Sequence, residues 1–236
     1  MTELSALDAP PIKATLARLH EAAKGDRWIL LKAAPAVLVG WLRGRSTMEV
    51  VKPFLKDAFI PISAEQGRFL YQTARLVNAK TIVEFGTSFG ISAIYLAAAA
   101  HPNGGRFIGS ELEPHKVEAA RAHLAEAGLA DVAEIRQGDA LKTLATIEGD
   151  IDMLLLDGCK DLYLPMIWML RPRLKPGSVV LADNIFTFPK DLAPFVAYMR
   201  APANGFESMT LNLGAGLEYA VCVNAGSIVL ERNDAK

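Results

Sequence analysis

Residues 151–160 read IDMLLLDGCK, a mostly apolar run that ends in an acid and a glycine. The apolar side chains follow one another instead of alternating with polar ones, a pattern typical of a strand buried on both faces. Such strands occur in parallel sheets that helices cover on both sides. The acid that follows the run would lie at the carboxyl edge of the sheet, where ligands of open α/β sheets bind.

The same succession of strand and helix repeats on both sides of this run. The sequence predicts strands at Thr81–Phe85, Arg106–Ser110, Ala133–Gln137, Ile151–Leu156, Ser178–Leu181, Phe206–Leu211 and Leu217–Val223. It predicts helices at Ala64–Val77, Gly90–Ala100, Pro114–Ala127, Leu141–Ile147, Leu162–Arg173 and Lys190–Arg200. The last two strands are joined through glycines, which is typical of an antiparallel pair. We therefore predict an α/β fold with helices on both faces of the sheet and an antiparallel closing hairpin.

The first 57 residues differ from the rest in being irregular, and one amphipathic helix is predicted in them after Pro10-Pro11. Their most apolar run, Trp28–Leu42, contains Lys32 and Pro35 and is shorter than the roughly 20 apolar residues of a membrane span. It is expected to be a kinked core or interface helix, with a membrane-surface or hydrophobic-substrate role as the alternative. We predict a helical lid or interface over residues 1–57, a possible homodimer face, and one catalytic domain over residues 58–236.

The composition excludes several classes of protein. The chain has 236 residues, and 25 Lys+Arg against 26 Asp+Glu give a net charge of −1, so no basic surplus for nucleic-acid binding exists. Two cysteines, Cys159 and Cys222, are too few for a disulfide framework or a cysteine-rich zinc site. The first residues lack the basic and apolar pattern of a secretory signal, and a cytoplasmic protein without a membrane span is expected.

A glycine-rich loop follows the first predicted strand. It reads E-x-G-x-x-x-G, from Glu84 through Gly86 to Gly90, and lacks the G-x-G-x-x-G pattern of dinucleotide sites. Glu111, at the end of the second strand, could accept both hydroxyls of a ribose. Nicotinamide and adenosylmethionine sites share that acid, but Glu84 would repel a pyrophosphate. The loop therefore favours S-adenosylmethionine, while a nicotinamide-dependent oxidoreductase stays the alternative.

Acids and an amide also follow the fourth and fifth strands. Asp157, Asp183 and Asn184 would meet if those strands are neighbours, and oxygen ligands without Cys or His suit Mg²⁺. The alternative is that Asp183-Asn184 forms an Asx-turn and that Asp157 caps a helix. Lys160 lies one turn after Asp157, where it could act as a general base, or it could be a solvated surface lysine.

Two longer segments, IDMLLLDGCKDLYLP and RLKPGSVVLADNI, resemble the animal catechol O-methyltransferases and their small bacterial relatives. The resemblance implies a seven-stranded, mostly parallel Rossmann-like methyltransferase sheet, adenosylmethionine as methyl donor and Mg²⁺ as metal. It implies two catalytic residues, Lys160 as the base and Asp157. It also implies Asp157, Asp183 and Asn184 as metal ligands. The donor-binding positions that it implies are Ile62, Glu84, Gly86, Ser88, Ser92, Glu111, Asp139 and Ala140. The implied reaction is methylation of a hydroxyl on a small catechol-like phenol.

The sequence departs from that family at the wall of the adenine site. The animal enzyme has a histidine and a tryptophan where this chain has Gly158 and Cys159. Glu218 matches either a substrate-contacting glutamate or a structural residue of the last strand, and both interpretations stay open. A catalytically idle adenosylmethionine-binding protein is a further alternative, although it would not need Asp157, Lys160 and Asp183 together.

Overall fold

A computed structural model describes residues 5–24, residue 50 and residues 61–224. The α-helices of these residues are α1 (Pro10–Ala23), α2 (Ala64–Leu76), α3 (Ile91–Ala100), α4 (Pro114–Glu126), α5 (Ala140–Thr143), α6 (Tyr163–Leu170) and α7 (Pro189–Arg200). The strands are β1 (Thr81–Phe85), β2 (Arg106–Glu111), β3 (Ala133–Gln137), β4 (Ile151–Leu156), β5 (Leu174–Ala182), β6 (Phe206–Leu211) and β7 (Leu217–Cys222). The predicted Trp28–Leu42 helix and the proposed domain boundary at residues 57 and 58 lie outside the described residues.

The seven strands form one sheet in the order β3-β2-β1-β4-β5-β7-β6. The first five strands are parallel, and β7 runs antiparallel to both of its neighbours. The order reverses between β1 and β4, which is where ligands of such sheets bind. The predicted fold, a mostly parallel seven-stranded sheet with an antiparallel closing strand, is confirmed.

Helices cover the two faces of the sheet because successive strand residues point to opposite sides. One apolar cluster contains Ile82, Met153 and Leu181 from the strands and side chains of α1 to α4. The other contains Val83 and Leu154 with side chains of α5, α6 and α7. No helix of the described residues is both long enough and apolar enough to cross a bilayer.

Two strand and helix bounds differ from the prediction. The strand β5 begins at Leu174 instead of Ser178, because Leu174 pairs with Ile151 before a register shift in the ladder with β4. The predicted helix Leu141–Ile147 is observed only as the four-residue α5, Ala140–Thr143. In the other cases the predicted bounds and the observed ones differ mainly in the terminal residues, where helices commonly fray.

Candidate active site

The ends of β1, β4 and β5 bring the two predicted metal-binding aspartates together. The backbone N–H of Asp157 donates to the carbonyl of Phe85, 2.8 Å away, and that of Asp183 donates to Leu156 at 3.0 Å. Each aspartate therefore continues the ladder of its strand by one residue. The negative charge of Asp183 opposes ionisation of Asp157.

Lys160 lies in the same place and is only 6% exposed, so it is not a solvated surface lysine. Its Nζ donates to the hydroxyl of Tyr163 at 2.8 Å and lies 3.4 Å from Oδ1 of Asp157. The Tyr163 hydroxyl donates in turn to the backbone carbonyl of Asp183, at 3.2 Å. A single hydrogen-bonded chain thus joins Lys160 to the ends of both β4 and β5.

Burial dominates the electrostatics of the two carboxyl groups. It raises the pKa of Asp157 to about 7, although the Lys160 ammonium acts in the opposite direction. The pKa of Asp183 is raised for the same reason, against the opposing effects of its hydrogen bond from the Asn184 backbone and of Lys160. A second positive charge beside these groups would favour both ionised forms.

The donor set fits the predicted metal. Asp157, Asp183 and Asn184 offer two carboxylates and an amide, the hard oxygen ligands that Mg²⁺ prefers. The amide of Asn184, at a positive φ of 71°, lies against Asp183, with its nitrogen 3.2 Å from Oδ2. Rotation of the amide by half a turn would present its oxygen instead. Among the described residues no cluster of three His, Cys, Asp or Glu side chains suits a metal, so this amide is essential to the predicted set.

The glycine-rich loop after β1 lies against the end of β4. Gly86 has a φ of +95°, and a Cβ on it would lie 2.5 Å from the backbone of Gly158. Only glycine fits there, because the conformation is left-handed and the space is filled. The N–H of Ser88 donates to Oε2 of Glu111 at 2.8 Å. The predicted ribose acid is therefore fixed to the loop that is predicted to bind the donor.

A small cleft lies between the loop and the end of β4 that carries Asp157. Its lining includes Ile62, Gly86, Ser88, Ser92 and Asp157. The structure thus brings four predicted donor-binding residues together with one predicted metal ligand. Two more predicted donor-binding residues, Asp139 and Ala140, follow β3 and do not line this cleft; the Asp139 carboxylate accepts the N–H of Leu141 at the start of α5.

Glu84 is completely buried at the base of the loop. Neither of its carboxyl oxygens makes a hydrogen bond of good geometry to the described residues, although the hydroxyls of Ser92 and Thr87 lower its pKa. Burial is the larger effect and raises the pKa of Glu84 to about 8. A buried carboxyl group without a firm partner is stabilised by a cation, which fits the ammonium group of an amino-acid moiety.

Replacement of Glu84 by glutamine is expected to remove a pH-dependent loss of stability. The raised pKa means that folded Glu84 holds its proton while unfolded Glu84 loses it, so stability is lost as the pH rises from 4.5 to about 8. From pH 5 to pH 8 the free energy of unfolding of the unchanged protein should fall by a few kcal/mol relative to that of Glu84→Gln. Urea unfolding of both proteins without ligand at these two pH values measures it. Parallel pH dependences of the two proteins would contradict this account of Glu84.

Three neighbours of the site were missed by the sequence analysis. Tyr163 follows Lys160 by three residues, a helical spacing that could have suggested their contact. Gln66 follows Ser63 in the S-x-x-Q pattern of a capping box, and its amide reaches Asp183. The third is Phe85, which no pattern in one sequence reveals. Because a Cβ at Gly158 would lie 2.4 Å from its ring, the ring takes the space that a side chain there would need.

Glu218 has partners that account for its burial. It is 1% exposed, and its two oxygens accept from Nε and Nη2 of Arg200, both at 3.0 Å. The hydroxyls of Ser208 and Thr210 also donate to it. These contacts join α7 to the hairpin of β6 and β7, which favours the structural interpretation of this residue.

Replacement of Glu218 by alanine is expected to cost about 2 kcal/mol of stability, because the Ser208 and Thr210 hydroxyls lose an acceptor and Arg200 loses its ion pair. Donor affinity should stay within twofold of the unchanged protein. Urea unfolding and calorimetric titration with S-adenosylhomocysteine measure the two quantities. A normal free energy of unfolding would reject the structural role.

Comparisons with known proteins agree with this geometry. Residues 83–185 match a family described as "Methyltransferase domain". A catechol O-methyltransferase of Mycobacterium tuberculosis is 38% identical over 128 residues, which are 53% of this chain and 57% of that protein. Caffeoyl-CoA O-methyltransferase 1 of Eucalyptus globulus is 29% identical over 66% of this chain and 65% of that protein. The crystal structure of the O-methyltransferase TomG from Streptomyces achromogenes, in complex with SAM, superposes with a TM-score of 0.64 at 26% identity, covering 81% of this chain and 89% of that one.

The strand order and the superposition with TomG show a Rossmann-like methyltransferase fold. Among proteins of that fold the chain is similar to the O-methyltransferases of the catechol O-methyltransferase type, which confirms the predicted resemblance. These relatives are named as O-methyltransferases, which is the predicted enzyme class. The chain spans a little over half the length of the catechol O-methyltransferases that it matches.

Proposed function

We propose that the protein transfers a methyl group from S-adenosylmethionine to a hydroxyl of a small phenol with two neighbouring oxygens. The observation that carries this proposal is the meeting of Asp157, Asp183 and Lys160 beside the glycine-rich loop. A structural sheet has no need of one buried carboxylate, one partly buried carboxylate and a buried amine at one edge, because such groups are costly to desolvate. A catalytic site needs such carboxylates and amines, because they bind charged reactants and transfer protons.

The metal belongs to this proposal. Asp157, Asp183 and Asn184 would hold Mg²⁺. When bound, the ion supplies Lewis acidity that makes a nearby phenolic hydroxyl more acidic.

Lys160 is proposed to accept the phenolic proton at Nζ as the neutral amine, after its ammonium form has given a proton to solvent. The acceptor oxygen then forms a bond to the methyl carbon as the bond from that carbon to the donor sulfur breaks, and the sulfonium becomes a neutral thioether. The proton stays on Lys160 until solvent removes it. Lys160 is held for this step by Tyr163, and its burial keeps water away from the reacting groups.

The donor is proposed to lie along the loop after β1. Gly86 and Ser88 allow the backbone to approach it, Ile62 covers its methionine end, and Glu111 accepts the ribose hydroxyls. The buried Glu84 carboxyl group, whose oxygens make no hydrogen bond of good geometry to the described residues, would attract the ammonium group of the donor. The residues then set the methyl carbon toward the ends of β4 and β5, where the acceptor oxygen is activated.

Catechols and caffeoyl-type phenols are the proposed acceptors, after the names of the relatives. Both classes carry two neighbouring oxygens on an aromatic ring. The proposed location is the cytoplasm, and its reducing conditions suit Cys159 and Cys222, which form no disulfide in the described residues.

The proposed function is tested with labelled adenosylmethionine and a panel of catechol, caffeoyl-type and flavonoid acceptors in Mg²⁺. Label should appear on the oxygen of at least one acceptor. Titration with NADH in parallel tests the oxidoreductase alternative, and NADH binding without adenosylmethionine binding would overturn the proposal.

Replacement of Glu111 by alanine is expected to weaken donor binding about tenfold or more, because a charged acceptor of two ribose hydroxyls is lost. Calorimetric titration with S-adenosylhomocysteine measures the change. Asp131→Ala, at an exposed loop position, is the matched control and should bind normally. Normal affinity in Glu111→Ala would remove this residue from the proposed donor site.

A further inference from the structure

Gln66 lies behind the proposed metal site and uses both ends of its side-chain amide. The side chain is 4% exposed. Its Oε1 accepts the backbone N–H of Ser63 at 3.1 Å, and its Nε2 donates to Oδ1 of Asp183 at 3.0 Å. The hydroxyl of Ser63 completes the capping box by accepting the N–H of Gln66. One buried amide therefore joins the start of α2 to a proposed metal ligand.

The contacts fix the orientation of this amide. The backbone N–H of Ser63 can only donate, so the amide turns its Oε1 toward Ser63 and its Nε2 toward Asp183. The side chain is also confined in space, because a Cβ on Gly214 would lie 2.2 Å from its amide carbon. Gly214 has a φ of +58° and leaves that space to Gln66.

We propose that Gln66 is a positioning residue that holds the Asp183 carboxylate for the divalent cation. The proposal rests on the proposed function, because it assigns a role toward the same metal. The amide donates to Oδ1 of Asp183 from the side of α2, while Oδ2 accepts from the Asn184 amide. The hydrogen bond from Gln66 thereby limits the rotation of the carboxylate and keeps it facing Asn184 and Asp157. Hydrogen-bond partners of metal ligands commonly change metal affinity by 10–100-fold when they are removed.

The same contacts connect the metal with the donor cleft. Ile62, which lines the cleft, directly precedes Ser63, and Ser63 is joined to Gln66 by two hydrogen bonds. The proposed metal ligand Asp183 and the cleft residue Ile62 therefore lie at the two ends of one short hydrogen-bonded segment. Gln66 is the only link in that segment that reaches the carboxylate directly among the described hydrogen bonds.

The test compares Gln66→Met with Ser63→Ala. Gln66→Met keeps the length of the side chain and removes the amide, while Ser63→Ala removes the cap hydroxyl and leaves the amide donor for Asp183 in place. Binding of Mn²⁺ is measured by electron paramagnetic resonance, and binding of S-adenosylhomocysteine by calorimetry. Gln66→Met should bind Mn²⁺ roughly tenfold more weakly, with S-adenosylhomocysteine affinity within twofold. Ser63→Ala should bind both as the unchanged protein does.

The outcomes separate the positioning role from the proposed function. If the unchanged protein binds no Mn²⁺, the proposed metal site fails and the role of Gln66 fails with it. If the unchanged protein and Gln66→Met bind Mn²⁺ equally, only the role of Gln66 is overturned. Equal loss of metal and donor binding in Gln66→Met would indicate general damage and would also overturn it. Should Gln66→Met not fold, Gln66→Asn keeps the amide but is one carbon shorter, and the same weaker Mn²⁺ binding is required of it.

Discussion

Replacement of Lys160 by methionine is expected to lower kcat by about a thousandfold, within the range that general bases contribute. Methionine keeps the length and the apolar contacts of the side chain and removes the amine that is proposed to accept the phenolic proton. S-adenosylhomocysteine affinity should stay within twofold, because Lys160 contacts Asp157 and Tyr163 and is not among the residues that line the donor cleft. Single-turnover methyl transfer with labelled donor measures the chemical step.

A second variant distinguishes a role of Lys160 as proton acceptor from a role of its positive charge alone. Lys160→Arg keeps a positive charge beside Asp157 but cannot lose its proton in a protein, so it should be as inactive as Lys160→Met. Lys190→Met, at an exposed position, is the control and should be fully active. Methyl transfer at a normal rate in either Lys160 variant would show that this lysine is not the base.

Replacement of Asp157 by alanine is expected to abolish metal-dependent methyl transfer, with a loss in rate of at least about a thousandfold. Two effects combine, since the cation loses a carboxylate ligand and Lys160 loses its ion pair. The protein without ligands should unfold at a lower temperature, because the buried Lys160 ammonium loses its carboxylate partner. Mn²⁺ binding, labelled methyl transfer and thermal unfolding measure these three effects.

The neighbouring acid Asp161 provides the matched control for this prediction. It is exposed, and Asp161→Ala should keep both metal binding and activity. Donor binding should remain measurable in Asp157→Ala, which distinguishes a lost metal site from a collapsed cleft. Metal-dependent turnover in Asp157→Ala would remove this residue from the metal site.

The fold could be predicted because the strands of the parallel sheet carry their signal locally. The run Ile151–Leu156 is apolar on both faces, and glycines or acids follow each strand at the sheet edge. Parallel strands place those ends at the same edge of the sheet, so Asp157 and Asp183 could be expected to meet if β4 and β5 are neighbours. The early start of β5 was missed because Lys175-Pro176-Gly177 looks like a turn, while its pairing with β4 depends on a register shift.

The residues behind the site could not be predicted because their contacts are distant in sequence. Gln66 and Asp183 are 117 positions apart, and nothing in either segment indicates the other. The ring of Phe85 over Gly158 depends on the pairing of β1 with β4. The raised pKa of Glu84 depends on complete burial by the packed loop, which composition alone does not specify.

The central claim, that a divalent cation held by Asp157, Asp183 and Asn184 supports methyl transfer beside Lys160, is tested most directly by removal of the metal. Labelled methyl transfer to catechol is measured with Mg²⁺, after addition of EDTA, and after excess Mg²⁺ is restored. The account predicts transfer that EDTA stops and Mg²⁺ restores, with S-adenosylhomocysteine bound equally throughout. Undiminished transfer in EDTA would contradict it.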